Sequence, residues 1–295
     1  MSRSLLFILL AAANAQTPYQ WDLPSGFPKP RVPADNPMTA AKVELGRYLF
    51  YDTRMSGNGT QSCATCHVQS LAFTDGKPRA AGSTGESHTR GSMSLINVAY
   101  APVLTWIDQG LHSLEDQARV PMFGDHPVEL GMAPSAEKFL AVVRADARYQ
   151  KLFGDDPITL DNMIKALACF ERSIVSARSP YDRYHFDRDD SAISAAAKHG
   201  EILFFSTGFS CFRCHSGSNF TGKPEDVGGF KAPTLRNIAV TAPYMHDGSL
   251  KTLEEAVVHH GKMTAAERAD IVEFLRTLTD QAVLHDPRFA RPEYR

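Results

Sequence analysis

Two five-residue stretches constrain this chain more than anything else in it. Cys63-Ala64-Thr65-Cys66-His67 and Cys211-Phe212-Arg213-Cys214-His215 both spell C-x-x-C-H. That is the pattern of covalent c-type haem attachment. Two thiols must reach two vinyl groups on one porphyrin edge, and two intervening residues set that span in about one helical turn. The adjacent histidine then projects toward the iron as a ligand. Other uses of paired cysteines fit less well. A zinc ribbon places its pairs roughly 15–20 residues apart, and a thioredoxin-like dithiol needs βαβ surroundings. Here most of the molecule separates the pairs, and no strand pattern is evident. The expected cofactors are therefore two haem c, tethered by Cys63, Cys66, Cys211 and Cys214. His67 and His215 are the expected proximal ligands. The fifth cysteine, Cys169, lies in the apolar run 162–170 and reads as a buried core thiol.

The chain has 295 residues, which at roughly 150 per domain suggests two domains. A net charge of -2 argues against a nucleic-acid partner or a polybasic membrane surface. Residues 1–15 read as a signal peptide. Arg3 supplies the positive start, Leu5 to Ala13 an apolar run too short to span a bilayer, and Ala13-Asn14-Ala15 a cleavage site. The expected location is the periplasm, with no membrane-spanning segment after processing.

Helical periodicity dominates. Ala41, Leu45 and Leu49 repeat on one face, as do Leu160, Met163, Ile164, Leu167 and Ile174. Ile193, Ala197, Gly200 and Phe204 lead into the second motif. Thr264-Ala265-Ala266-Glu267 is a capping box before Ile271, Leu275 and Leu278. The expected fold is mainly α: two cytochrome c-like domains with long loops, 16–180 and 181–295, each holding one motif. No repeat beyond the motif itself is evident. Thr252 and Glu255 form another capping box, which puts Leu253, Ala256, Val257 and His260 on one face. His260 is then expected to point inward as the second axial ligand opposite His215. Met263 and Met245 are the alternatives.

Further stretches resemble one family. They are 45–52 (LGRYLFYD), 72–76 (AFTDG), 170–173 (FERS), 179–184 (SPYDRY), 231–237 (KAPTLRN) and 243–249 (PYMHDGS). Together they resemble the diheme bacterial cytochrome c peroxidase and MauG superfamily over nearly all of the mature chain. Residues 23–28 and 32–38 look closest to its methanobactin-associated, MauG-like branch. The resemblance implies a peroxide-reactive haem at His67 and an electron-relay haem at His215. It also implies distal-pocket roles for Gln117, Pro121 and Glu129, with Glu129 as the acid–base group, and a place for Trp106 between the haems. Thr241 and Pro243 match carbonyl ligands of an inter-haem calcium ion, beside His246 and Asp247, but Gly91 stands where the family has a side-chain ligand. Ser83 stands where conventional peroxidases carry a histidine that plugs the active haem, with His88 displaced from that place.

The expected activity is peroxide-driven oxidation, with oxidising equivalents shared between the two haems. The reductant is a residue of a partner protein, such as a tryptophan, or else a cytochrome c or cupredoxin. A non-catalytic diheme electron carrier is the reading from another class.

Overall fold

The computed structural model describes residues 17–107, 110–222 and 230–293; the expected signal peptide and residues 223–229 lie outside them. Helices dominate, and among the described residues the extended pairings are isolated bridges. In chain order the helices are α1 (Ala40–Phe50), α2 (Cys63–Cys66), α3 (Leu114–Phe123), α4 (Ala136–Ala145), α5 (Ala147–Phe153) and α6 (Leu160–Ser173). They continue with α7 (Pro180–Phe186), α8 (Ala195–Phe204), α9 (Leu253–His259), α10 (Ala265–Arg276) and α11 (Gln281–His285). The expected capping boxes at Thr252 and Thr264 are present. Leu45 and Leu49 are buried as the periodicity requires, but Ala41 is exposed, because it lies in the first turn beyond the reach of α6.

Two helix crossings organise the molecule, and they are built alike. α1 packs on α6 and α8 packs on α10. At each crossing a glycine lets the backbones touch. A Cβ on Gly46 would lie 2.0 Å from the Ala166 carbonyl, and one on Gly200 would lie 1.9 Å from the Asp270 carbonyl. One turn further on, Phe50 meets Phe170 with ring centroids 5.1 Å apart, and Phe204 meets Phe274 at 5.2 Å. These pairs anchor two separate cores. Cys169 is fully buried on α6, as expected.

The repetition extends into the loops. Asn97 and Asn237 both adopt the left-handed conformation, φ 55° and 60°, and each starts a 3-10 turn. The Asn97 N–H donates to the Ile174 carbonyl just past α6, and the Asn237 N–H to the Leu278 carbonyl just past α10. Their side-chain oxygens accept the N–H two residues further along, Ser176 at 2.7 Å and Asp280 at 2.8 Å. Both asparagines also donate to Ser176, at its carbonyl and its hydroxyl. The two halves therefore meet on one serine in the α6–α7 connection.

The ends of the chain cross between halves. Val283, Leu284 and Phe289 return to the first core, and Tyr51 and Gln69 hold that tail by its carbonyls. Near the N-terminus Phe27 packs under Arg236, whose guanidinium lies 5.1 Å from the ring centroid. Arg236 is 1% exposed; it pairs with Asp182 through two 2.9 Å bonds and donates to the Ser218 carbonyl at 2.7 Å. A buried pair of this kind costs several kcal/mol if one partner is lost. It fixes the loop after His215 against α7.

The glycine crossings yield a prediction with an inverted sign. In an exposed helix Gly→Ala gains about 0.5–1 kcal/mol. Here Gly200→Ala should lose about 1–3 kcal/mol by overpacking, read as an earlier midpoint in chemical denaturation. A stabilised variant would contradict the close crossing.

Candidate functional site

Each C-x-x-C-H unit ends in a histidine whose ring is tethered through one nitrogen. His67 Nδ1 lies 2.8 Å from the Phe73 carbonyl, and His215 Nδ1 lies 3.2 Å from the Phe220 carbonyl. Both acceptors are phenylalanines with positive φ, 58° and 46°, at the turn of a short bridged loop, Val68↔Thr74 or Ser216↔Thr221. That backbone twist aims the carbonyl back at the imidazole. A second carbonyl approaches each ring, from Met93 and Pro233 respectively. With Nδ1–H donating, Nε2 keeps its lone pair, which is the state of a metal-ligating imidazole. Burial reinforces neutrality: it lowers the His67 pKa and takes His215 to about 4, with His260 adding to the latter.

The thiols are also in the wrong state for dithiol chemistry. All four motif cysteines are unbridged, and burial raises Cys63, Cys66 and Cys211 above their ordinary value, Cys66 to about 11. Redox-active C-x-x-C cysteines show the opposite shift. The residues therefore fit haem attachment. Haem c would be held here by the four cysteines, His67 and His215.

Opposite His215 stands His260. The helix expected to carry it stops at His259, so His260 is the C-cap and is exposed rather than inward on a helical face. Its ring nevertheless reaches across to His215, with centroids 6.4 Å apart. Its Nδ1 lies 2.7 Å from the Ala256 carbonyl, again leaving Nε2 free. A metal–imidazole bond is about 2 Å, so two imidazoles at this spacing leave room for one metal ion between them. Met263 packs at the edge of the second core, while Met245, at φ 70°, lines the cleft between the halves. Against His67 the aromatic neighbour among the described residues is Phe50, at 6.5 Å.

Glu129 is brought to the first unit by α3. Pro121 lacks an N–H, so the helical bond to the Gln117 carbonyl is missing one turn before it. The Pro121 carbonyl, in the last turn of α3, accepts from Leu130 N–H at 2.9 Å and so holds the Glu129 segment alongside the helix. Gln117 and Pro121, four apart, share a helix face with that segment. Ser83 staples it from the other side, donating its N–H to the Glu129 carbonyl at 2.7 Å and its hydroxyl to the Leu130 carbonyl. Burial takes the Glu129 carboxyl up to about 7, and its charge bears on both Cys63 and Cys66.

Trp106 joins the halves. Its indole N–H donates to the Gly91 carbonyl at 3.1 Å, and its own carbonyl accepts from Lys231 N–H at 2.9 Å. It lines a cleft between the two histidine loops, together with Thr241, Pro243 and Gly91. A Cβ on Gly91 would meet the Lys77 carbonyl at 3.1 Å, so a larger residue there is crowded. His246 stacks on Phe230 at 4.5 Å and bonds Arg90 through Nδ1, which commits it to the rim of the cleft. Among the described residues no cluster of three or more His, Cys, Asp or Glu side chains is placed to hold a metal ion.

Sequence reasoning missed the buried Glu171, which is 7% exposed, has no partner for Oε2 and is raised to about 8 by burial. It also missed Lys231.

The profile of the di-haem cytochrome c peroxidase family matches residues 40–191. The methylamine utilization protein MauG of Methylorubrum extorquens is 35% identical, over 86% of this chain and 82% of its own length. Cytochrome c551 peroxidase of Nitrosomonas europaea is 31% identical, over 84% of this chain and 83% of its own. A crystal structure of a MauG-like protein associated with microbial copper homeostasis superposes with a TM-score of 0.85 at 35% identity, covering 93% of this chain and 99% of that one. Fold and site thus define a mainly helical diheme protein of c type. The chain belongs to the di-haem cytochrome c peroxidase family, and it is a peroxidase-type oxidoreductase with two haem c groups. Among the described residues no helix is long and apolar enough to cross a membrane.

The imidazole spacing sets the next expectation. His260→Ala should keep both haems attached, since the thioether cysteines are untouched, yet convert one low-spin haem into one that binds added imidazole. An optical spectrum unchanged from wild type would rule out His260 as an axial ligand.

Proposed function

We propose that the protein reduces hydrogen peroxide at the haem held by His67 and spends the oxidising equivalents on a residue of a periplasmic partner protein. When bound, the haems supply the redox chemistry, one taking peroxide and both together storing the two equivalents released as the O–O bond breaks.

The chain's own groups handle the proton. Glu129, ionised, takes the proton from the inner peroxide oxygen and returns it to the outer oxygen. That oxygen already carries one hydrogen and so departs as water. A base with a pKa near the working pH suits both halves of this transfer. Burial sets Glu129 there, at about 7, and the observation that carries the proposal is the placement of this carboxyl beside Cys63 and Cys66 by the Pro121–Leu130 and Ser83–Glu129 main-chain bonds. Gln117, on the same face of α3 as Pro121, orients the peroxide by its amide. Ser83 brings a hydroxyl rather than an imidazole to this place and spends it on the Leu130 carbonyl, so in this reading that position supplies no ligand that must leave before peroxide binds. Trp106, bonded to both halves, lies where charge must pass between the haems. His260, whose ring lies 6.4 Å from that of His215, would hold the relay haem together with it; imidazole, unlike methionine, would keep the haem potential low. That favours storage of oxidising equivalents over uptake of electrons from an ordinary cytochrome.

The substrate in this reading is a side chain, such as a tryptophan, on a co-exported protein. The similarity to a MauG-like protein supports it over scavenging with cytochrome c or a cupredoxin. Calcium at the Thr241 and Pro243 carbonyls is a secondary part of the reading, since six to eight oxygens are needed and waters would supply the rest.

Glu129→Gln tests the core. The peroxide reaction of the native protein should rise with pH through about 7, as Glu129 loses its proton, and level off above. The variant should react about 100-fold or more slowly, without that rise, while retaining both haems. Native rates in the variant would remove Glu129 from the mechanism. Mass spectrometry of a co-exported protein before and after peroxide then tests the substrate.

A further inference from the structure

Lys231 is 8% exposed, and its ammonium has no carboxylate partner among the described residues. A buried charge without a counter-charge is costly and is normally paired. Burial alone takes this ammonium down to about 8, with no neighbouring charge compensating. Its backbone is fixed, because the Lys231 N–H donates to the Trp106 carbonyl at 2.9 Å. The side chain lines the cleft between the halves. Two residues on, Pro233 presents its carbonyl to the His215 imidazole. The other charged residues lining the cleft are Asp75 and Lys77. Asp75 directs its carboxylate to the Lys77 N–H and bears on Cys66 and His67, not on Lys231. Arg90 and His246 are committed to each other at the rim.

We infer that Lys231 is the cleft's anion anchor and that its partner is a propionate carboxylate of the haem held by His215. A c-type haem brings two propionates into a protein, and both need donors or cations. The haem at His215 is the one whose ligand loop and Lys231 share a strand of chain. The inference rests on the presence of two haems and not on the peroxide chemistry. Lys231 is thus a positioning residue that also sets a potential. A positive charge beside a haem favours its reduced form, so removing that charge lowers the midpoint potential.

The test is spectroelectrochemistry of the holoprotein, with haem content and melting temperature as controls. Lys231→Gln should keep two haems and shift one midpoint potential downward, with a change in the propionate bending band in resonance Raman. Lys231→Arg should restore both. The paired propionate holds the ammonium charged beyond the value that burial alone sets, so the potential of the native protein should stay level as the pH passes about 8 and fall only at higher pH. Lys231→Arg should abolish that fall, and a fall surviving in it would count against Lys231 as its source. The pH arm uses the unsubstituted chain, so it stands even where Lys231→Gln fails to mature. A native potential that depends on phosphate or chloride concentration, with the dependence lost in Lys231→Gln, would assign the site to a solvent anion and overturn the propionate pairing. Potentials and Raman bands unchanged in Lys231→Gln would overturn it outright.

Discussion

An imidazole offers one nitrogen to a metal only when the other is occupied, and much of this molecule serves to occupy it. Three histidines, His67, His215 and His260, each give Nδ1 to a main-chain carbonyl. For the two proximal ones the carbonyl belongs to a phenylalanine in the left-handed region. Such backbone is costly for a bulky residue, and here it lies against packed helix pairs. The glycine crossings bring α1 onto α6 and α8 onto α10, the aromatic pairs lock them, and the asparagine turns tie the loops to the helix ends. The histidines are therefore set by the core.

The same scaffold is used twice, and the two sites diverge only in what stands across from the proximal ring. At His215 it is a second imidazole, delivered by the C-cap of α9. At the Cys63–His67 unit, α3 and Ser83 hold in place the buried carboxyl of Glu129, whose charge bears on Cys63 and Cys66. Between them Trp106 and Lys231 join the halves through main-chain and side-chain bonds.

Much of this was legible in the sequence. C-x-x-C-H has few physical meanings, and the capping boxes at Thr252 and Thr264 mark helix starts by short-range hydrogen bonds that any reader of the sequence can count. The duplication was not legible. Met93-Ser94-Leu95-Ile96-Asn97 and Pro233-Thr234-Leu235-Arg236-Asn237 share only leucine and asparagine, because the carbonyls that Met93 and Pro233 present to the imidazoles come from the main chain and constrain no side chain. Gly46 and Gly200, one turn before Phe50 and Phe204, were the other available signal. Helical phase put His260 inward, whereas the helix ends one residue earlier and leaves His260 exposed at the C-cap, its ring still 6.4 Å from that of His215. Lys231 and Glu171 could not be found, since burial without a partner is a property of the whole packing. The return of residues 283–289 to the first core was equally silent, as so short a segment carries no periodicity.

The central claim is that two haems sit in unlike coordination, one between paired imidazoles and one open. Electron paramagnetic resonance of the resting ferric holoprotein measures this directly. The account predicts one low-spin signal and one high-spin signal in equal amounts, with only the high-spin signal altered by added cyanide. Two low-spin signals, both indifferent to cyanide, would contradict it.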